Sequence, residues 1–290
     1  MRFAITLAIL GLVAGCNPGR TDQARVVTGT AQAVDHVPII YDVRGQGDTA
    51  LVFVHCWSCD RTFWKYQLDA FANNYRVVAI DLPGHGESGA DRDSWTIAGL
   101  GDDVARVVEQ LGLRRVILIG HSMGGPVSLE AARRLRGRVL GVVAVDTLHN
   151  AEFEYPQPMI EAWIASFEED FDGTMERSIR GMISTEADPE LADWVVMKAK
   201  NAHPEVAIAL IRQFPDFDAG AALRAAQVPV RAVNAAPRPE GGLPTAVEIN
   251  RKYADFDAMI MEGVGHFIQL EHPGEFNEHL RHWIEELDKA

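Results

Sequence analysis

The sequence predicts an α/β fold in which a mostly parallel central β-sheet is flanked by helices and carries an inserted helical cap. From Val37 onward, short β-branched runs alternate with helix-like stretches, an alternation that is typical of parallel sheets. The runs at 50–55, 116–119 and 141–145 are apolar throughout, which indicates strands covered by helices on both faces. Residues 151–216 instead contain successive amphipathic helical patterns, so this segment is predicted to form the cap.

The individual elements follow from the same patterns. Strands are predicted, in chain order, at Pro38–Val43, Ala50–His55, Arg76–Ile80, Arg115–Ile119, Val139–Val145, Val228–Val233 and Asp257–Met261. Apolar residues at helical spacing predict core-facing helices over Ile97–Leu111 and from Phe276 to Leu287. The core is therefore assigned to residues 37–150 and 217–290. The methionine and aromatic content of the cap predicts a roof over an apolar pocket.

Composition restricts the possible partners. The 290 residues are 47% hydrophobic and 23% charged, which is sufficient for a large buried core. The formal net charge is −14, and the chain has no block of lysine or arginine. Because binding to phosphate groups requires clustered cations, we expect no nucleic-acid partner. The oligomeric state stays open.

The N-terminus has the pattern of an export signal. Met1-Arg2 is a short basic start, and Phe3–Ala14 is an apolar segment too short to span a membrane stably. The ending Val13-Ala14-Gly15-Cys16 resembles the lipobox of bacterial lipoproteins, in which the cysteine is lipidated and becomes the new N-terminus. This resemblance implies a signal peptide at 1–15, a lipid on Cys16 and a tether over 16–36, whereas an ordinary signal peptide is the alternative.

The resemblance also bears on the final location of the protein. In that family the residue after the cysteine influences sorting, and Asn17 lacks the aspartate that is associated with retention in the inner membrane. We therefore expect an exported protein that is anchored in the outer membrane and faces the periplasm.

A glycine-flanked serine is the first candidate for chemistry. Gly120-His-Ser-Met-Gly124 follows the apolar run Val116–Ile119 and precedes a helix-like stretch. In a strand–turn–helix connection, such glycines remove side chains that would collide, which leaves the hydroxyl of Ser122 exposed as a nucleophile. The next amide, that of Met123, lies at a helix N-terminus, where an unpaired N–H can stabilise an oxyanion.

A serine nucleophile needs a base, and the base needs a group that orients it. Of the ten histidines, His266 lies in a glycine-rich turn directly after the last predicted strand. That turn is at the carboxyl edge of the sheet, as is Ser122, so His266 is the predicted base. His85 and His121 are in tight turns of their own, which we expect them to hold by hydrogen bonds.

Four stretches, in order along the chain, resemble the α/β-hydrolase family. They are Val52–Trp57, Asp81–Ser88, Gly120–Gly125 and Gly263–Phe267, and the resemblance extends from about Val37 to Ile284. It implies that Ser122 is the nucleophile and His266 the base, with the amides of Met123 and Trp57 as oxyanion donors. Asp81 and Ser88 are then structural members of their loop, and no metal or organic cofactor is implied.

The acid of the site departs from the family pattern. The usual acid follows the strand at Val228–Val233, but here Asn234-Ala-Ala-Pro stands in its place. Some family members carry the acid one strand earlier, where Asp146 ends the run Val142–Val145, so Asp146 is the predicted acid. Glu240 and a weakened serine–histidine dyad stay open, because a carboxylate at position 146 can also serve only to bind local backbone amides.

The oxyanion loop departs as well, since Cys56 stands where the family has glycine, three residues before Cys59. A second pair of ligands is missing nearby, which disfavours a metal site, and a thioredoxin-like role requires another fold. A disulfide and two free thiols stay open. A positive φ at Cys56 would strain the loop and shift the amide of Trp57.

The resemblance therefore implies a serine hydrolase that acts on a small apolar ester through an acyl-enzyme. Carbon–carbon bond hydrolysis, lactone opening and perhydrolysis use the same residues and stay open as alternatives. A non-catalytic binding protein that retains the fold is an alternative from another class, suggested by the missing usual acid and the altered oxyanion loop.

Overall fold

The computed structural model describes residues 26–238 and 242–289, in which eight strands form one sheet. The strands are β1 (Val27–Gln32), β2 (Pro38–Arg44), β3 (Thr49–Val54), β4 (Arg76–Ile80), β5 (Arg115–His121), β6 (Val139–Val145), β7 (Val230–Ala235) and β8 (Phe256–Met261). Their order is β1-β2-β4-β3-β5-β6-β7-β8. The pairs from β4 to β8 are parallel, and β1 and β2 are antiparallel additions at one edge. The predicted mostly parallel sheet is thus confirmed.

The central strands are buried on both faces, which explains their continuous apolar character. Val52 is in register with Leu118, and both belong to the core on one side of the sheet. Their neighbours Leu51 and Ile117 are also paired and pack into the core on the other side. Because side chains alternate along a strand, each apolar run contributes to both cores.

Helices cover both faces of this sheet. Those of the main domain are α1 (Lys65–Phe71), α2 (Ile97–Gln110), α3 (Gly124–Arg134), α8 (Ala219–Ala226), α9 (Val247–Asn250), α10 (Ile268–Glu271) and α11 (Pro273–Asp288). A short 3-10 helix, Arg61–Trp64, precedes α1. Helices α2, α3 and α8 pack together on one face, and α1, α10 and α11 pack on the other. The predicted helices at 97–111 and 276–287 correspond to α2 and α11.

The cap segment, which is described throughout, lies between β6 and β7 and contains helices and no strand. Its helices are α4 (Gln157–Glu169), α5 (Phe171–Met182), α6 (Pro189–Lys200) and α7 (Pro204–Ile211). Asp170 and Asp188 cap α5 and α6 by accepting backbone N–H bonds in the first turn. Residues of the predicted apolar stripes, including Ile160, Phe167 and Ile179, are buried.

The predicted tether over 16–36 is wrong in its last part, because β1 forms there and pairs with β2 over its whole length. This edge strand buries only Ala31 among its residues, so it lacks the alternating apolar pattern that identifies most strands. The folded core therefore begins before residue 37. The predicted signal peptide and Cys16 lie outside the described residues.

Among the described residues, no helix combines the length and the apolar character needed to cross a bilayer.

Candidate active site

Ser122 occupies a sharp turn between β5 and α3. Its φ of 52° is in the left-handed region, and its amide donates to Val145 O at 2.9 Å on the neighbouring strand. A Cβ atom on Gly120 would lie 2.1 Å from Gly124 O, and one on Gly124 would lie 2.4 Å from Val54 O. The two flanking glycines therefore permit the close approach of β5, α3 and β3 that presents the serine at the sheet edge.

His266 and Asp146 meet at the same edge from two different loops. His266 lies between β8 and α10, and its Nδ1 is 2.5 Å from Asp146 Oδ2. Asp146 directly follows β6 and is 8% exposed, and its other oxygen accepts the Ala235 amide at 2.8 Å. Burial alone would raise the pKa of Asp146, but the hydrogen bond and charge of His266, with help from that amide, hold the pKa below its usual range.

The serine and the histidine share one cavity. Ser122 and His266 both line it, together with Asp146, although no hydrogen bond joins Ser122 Oγ to the described ring of His266. Bonds of this kind often form only when substrate is bound. The second predicted acid, Glu240, lies outside the described residues.

The residues that carry the two predicted oxyanion amides also belong to the cavity wall. Met123 is the N-cap of α3, Trp57 lies in the loop after β3, and both residues line the cavity. Within the described chain, neither amide donates to another protein atom. The Trp57 indole Nε1 donates to Ala207 O of α7 at 2.9 Å, so the cap helps to hold the loop that carries the amide.

A disulfide closes the same loop. Cys56 and Cys59 are bonded to each other and are 3% and 4% exposed, with Trp57 and Ser58 between them. Cys56 does not have a positive φ, whereas Ser58 does, with φ at 56°. The backbone strain therefore falls one residue beyond Trp57, and the bridge restrains the loop on both sides of the Trp57 amide.

The loop of His266 is held by a carboxylate that sequence reasoning missed. Glu271 of α10 accepts the amides of Gly265 at 2.8 Å and Phe267 at 3.0 Å, one on each side of His266. It also accepts the amide of Ser184, two residues after the cap helix α5, at 3.1 Å. An acid four residues after Phe267 was the available signal, but only the folded turn brings both amides to it.

The other buried histidines near the site form hydrogen bonds with backbone groups. His85 Nδ1 donates to Pro83 O at 3.1 Å within its own turn, as expected, whereas His121 Nε2 donates to His266 O at 2.8 Å and so holds the loop of the base rather than its own turn. Burial lowers the pKa of His55 to about 4 and the pKa values of His85 and His121 to about 3. These rings therefore stay neutral at neutral pH.

The loop residues Asp81 and Ser88 have structural contacts. Asp81 accepts the amides of Arg61 at 2.7 Å and Glu87 at 2.9 Å, while the hydroxyl of Ser88 donates to Asp81 O at 2.6 Å. The same hydroxyl oxygen accepts the amide of Ile40 on β2, so the loop is joined to the edge of the sheet.

The cavity has a volume of about 560 Å³ and mainly apolar walls. Ring contacts run from Phe153 through Tyr155, Phe214 and Trp163 to Trp57, with successive centroids 5.1 to 6.5 Å apart. Tyr155, the second ring of this aromatic wall, is 42% exposed, and Trp57 is buried at the far end. A cavity of this size and polarity accommodates an apolar organic molecule.

The sheet order, the serine turn after β5 and the helical insertion after β6 define the protein as an α/β hydrolase in class. Residues 51–279 match the alpha/beta hydrolase family, to which the chain belongs.

Two relatives are similar to different shares of the chain. A dihydrolipoyllysine-residue acetyltransferase component of the acetoin cleaving system of Cupriavidus necator is 38% identical over 112 residues. That match covers 39% of this chain but only 30% of the relative's length. Pimeloyl-(acyl-carrier protein) methyl ester esterase of Yersinia pseudotuberculosis is 26% identical over 260 residues, 84% of this chain and 96% of that protein.

Solved structures share the fold. A thermophilic esterase from Thermogutta terrifontis has a TM-score of 0.76 and 23% identity, covering 91% of this chain and 99% of that one. At this level of identity the likeness establishes the fold alone.

Proposed function

We propose that the protein is a serine esterase that hydrolyses a small apolar carboxylic ester through an acyl-enzyme. The observation that carries the proposal is the 2.5 Å contact between His266 and Asp146 in the apolar cavity that Ser122 also lines. A nucleophile, a base and an orienting acid are the three groups that such chemistry requires.

In the first half of the reaction, Ser122 Oγ attacks the ester carbonyl while His266 Nε2 takes the hydroxyl proton. Asp146 faces Nδ1, so its carboxylate orients the ring and stabilises the imidazolium. The carbonyl electron pair moves onto oxygen, where the amides of Met123 and Trp57 donate to the oxyanion. As the tetrahedral intermediate collapses, the carbon–oxygen bond to the alcohol breaks, and the alkoxide leaves with the proton from His266.

In the second half, water replaces the alcohol. His266 takes one proton from the water as its oxygen attacks the acyl carbon, and the same two amides stabilise the second oxyanion. Collapse breaks the bond to Ser122 Oγ, which recovers its proton from His266, and the carboxylic acid is released. Water and the side chains of this site supply every proton and electron pair.

The apolar wall supports the choice of substrate class. Five ring-bearing residues reach from Phe153 to the oxyanion loop, and burial of apolar substrate surface there provides binding free energy. The similarity to a methyl ester esterase along most of that relative's length supports ester hydrolysis as the reaction.

Labelling and turnover together test this proposal. We expect a fluorophosphonate probe to modify Ser122, and p-nitrophenyl esters of short and medium acyl length to be hydrolysed. In the Ser122→Ala variant both signals disappear. If the folded wild-type protein neither reacts with the probe nor hydrolyses any ester of the panel, the proposal is wrong and the non-catalytic binding protein is favoured. Faster turnover of a ring-cleavage dienone, a lactone or a peroxide-dependent substrate would favour the corresponding alternative.

We also propose that the protein is exported and anchored in the outer membrane, facing the periplasm, by a lipid on Cys16. The basic start, the apolar segment and the small residues before Cys16 support this proposal. Metabolic labelling with radioactive palmitate should mark the wild-type protein and leave Cys16→Ala unlabelled. Release of unlabelled wild-type protein into the soluble periplasmic fraction would instead favour an ordinary signal peptide.

A further inference from the structure

A second imidazole faces the carboxylate of Asp146. His149 Nε2 lies 3.5 Å from Asp146 Oδ1, the oxygen that does not bind His266. The same oxygen accepts the Ala235 amide at 2.8 Å. His149 follows Asp146 by three residues, lines the cavity, and has a side chain that is 17% exposed.

The neighbours of His149 determine which ring nitrogen carries the proton. Asn234 Nδ2 can only donate, and it lies 3.0 Å from Thr245 Oγ1, which therefore accepts this bond. The hydroxyl proton of Thr245 is then available for His149 Nδ1 at 3.2 Å, and Asn234 Nδ2 approaches the same nitrogen at 3.4 Å. With Thr245 donating to Nδ1, we assign the ring proton to Nε2, the nitrogen that lies 3.5 Å from Asp146 Oδ1.

The charge state of His149 agrees with this assignment. Burial lowers the pKa of His149, and the charge of Asp146 opposes this effect only in part. At neutral pH the ring is therefore neutral. A neutral N–H group attracts the carboxylate, whereas an imidazolium at that place would compete with His266 for its charge.

Asn234 links this arrangement to the relocated acid. It stands near the end of β7, just before the alanine and proline positions where the family's usual acid is expected, and its side chain binds both backbone groups of Thr147 at 3.2 Å. The carbonyl of His149 also accepts the Ala246 amide at 2.7 Å. These bonds hold a segment in which Asp146 and Leu148 have positive φ angles of 45° and 52°.

We propose that His149 is a positioning residue that acts through Asp146. Its Nε2–H group, together with the Ala235 amide, keeps Oδ1 turned away from the base so that Oδ2 meets His266 Nδ1. The terminal torsion of an aspartate side chain is soft, so donors on both oxygens define the carboxylate plane. The inference rests on the proposed function, because it assigns a role within the same site.

Two substitutions at position 149 separate positioning from wall packing. His149→Leu keeps an apolar wall of similar volume but removes the donor, whereas His149→Gln retains an N–H group that can reach Oδ1. We expect kcat to fall about tenfold in the leucine variant with KM nearly unchanged, and to stay close to wild type in the glutamine variant. Thr245→Val removes the hydroxyl that selects the tautomer, and we expect a smaller loss of kcat.

A spectroscopic readout makes the test independent of turnover. The proton between His266 Nδ1 and Asp146 is expected to give a low-field ¹H NMR resonance that Asp146→Asn abolishes. It should persist in wild type and His149→Gln and shift or broaden in His149→Leu. If His149→Leu fails to fold, as judged by its melting transition, Thr245→Val replaces it, and its kcat and low-field resonance are compared with those of wild type.

Equal kcat and an unchanged resonance in His149→Leu would overturn the inference, as would equal losses in the leucine and glutamine variants. A rise in KM with kcat unchanged would mean that His149 only forms part of the pocket wall. A wild-type protein that hydrolyses no ester but shows the expected changes in the resonance would contradict the proposed function and leave the positioning role standing.

Discussion

Asp146 Oδ2 and His266 Nδ1 lie 2.5 Å apart although 120 positions separate the two residues in the chain. The contact exists because β6 and β8 end at the same edge of a parallel sheet, with β7 between them. Asn234, near the end of β7, binds the loop that carries Asp146. Asp146, at the end of β6, thus reaches His266 and takes the place of an acid at the end of β7.

We expect Asp146→Asn to lower kcat by about 10³- to 10⁴-fold, because the amide no longer stabilises the imidazolium or selects the ring tautomer. Turnover of a p-nitrophenyl ester measures the loss. Glu240→Gln should change kcat little. A matched control is Asp103→Asn, a buried aspartate that pairs with Arg92 away from the cavity. Similar small losses from Asp146→Asn and Glu240→Gln would support a serine–histidine dyad instead.

Reduction of the disulfide should lower kcat several-fold more than it changes KM. The bridge restrains the loop that carries the Trp57 amide, and a full loss of one oxyanion donor costs about 10²- to 10³-fold, so a loosened donor costs less. The measurement compares kcat before and after treatment with dithiothreitol. A Cys56→Ser, Cys59→Ser double variant serves as control and is expected to be slower and insensitive to the reductant. If kcat is unchanged both in the reduced wild-type protein and in the double variant, the disulfide does not support the oxyanion site.

Glu271→Gln should lower kcat about tenfold and reduce the free energy of unfolding by about 1–3 kcal/mol, because a charged acceptor for three backbone amides is weakened. Urea unfolding and steady-state kinetics provide the two values. Glu275→Gln on α11, with a side chain that is 49% exposed, is the matched control. An unaltered kcat would mean that the loop of His266 does not depend on this carboxylate.

Acidification should destabilise the fold below about pH 6.5, the ordinary histidine pKa, and the effect should continue down to about pH 4 for His55 and about pH 3 for His85 and His121, their lowered values in the folded chain. In this range the unfolded chain binds protons at His55, His85 and His121 that the folded chain does not. The free energy of unfolding therefore falls as pH falls, by up to about 1.4 kcal/mol per pH unit for each residue.

Urea unfolding at several pH values tests this dependence. His85→Gln should make the dependence on pH shallower, whereas substitution of the exposed His282 by glutamine should leave it unchanged. Identical slopes for wild type and His85→Gln would contradict the assignment of a buried neutral ring at position 85.

The regular part of the fold follows from local pattern. Strand β5 reads as a strand because all of its residues after Arg115 are buried, and α2 reads as a helix because Ile97, Val104 and Val108 face one core. Strand β1 could not be identified in this way, since hydrogen bonds to β2 hold it and only Ala31 is buried. Backbone pairing at the edge of a sheet imposes few requirements on the type of residue.

Local sequence pattern also identifies some residues of the site and not others. Ser122 and His266 are surrounded by glycines in sequence, and Asp146 ends an apolar run, so local pattern was sufficient to select them as candidates. Glu271 and His149 are neither flanked by glycines nor placed at the end of an apolar strand. Their contacts depend on how loops from separate strands meet, and the redox state of Cys56 and Cys59 likewise depends on the folded distance between them.

The central claim is that Ser122 carries the acyl group during turnover. Mass spectrometry of protein quenched in acid while it hydrolyses a p-nitrophenyl ester tests this claim most directly. We predict that the peptide containing Ser122 gains the mass of the acyl group, and that Ser122→Ala neither gains it nor turns the ester over. Undiminished turnover in Ser122→Ala, or an adduct on another residue with Ser122 unmodified, would contradict the account.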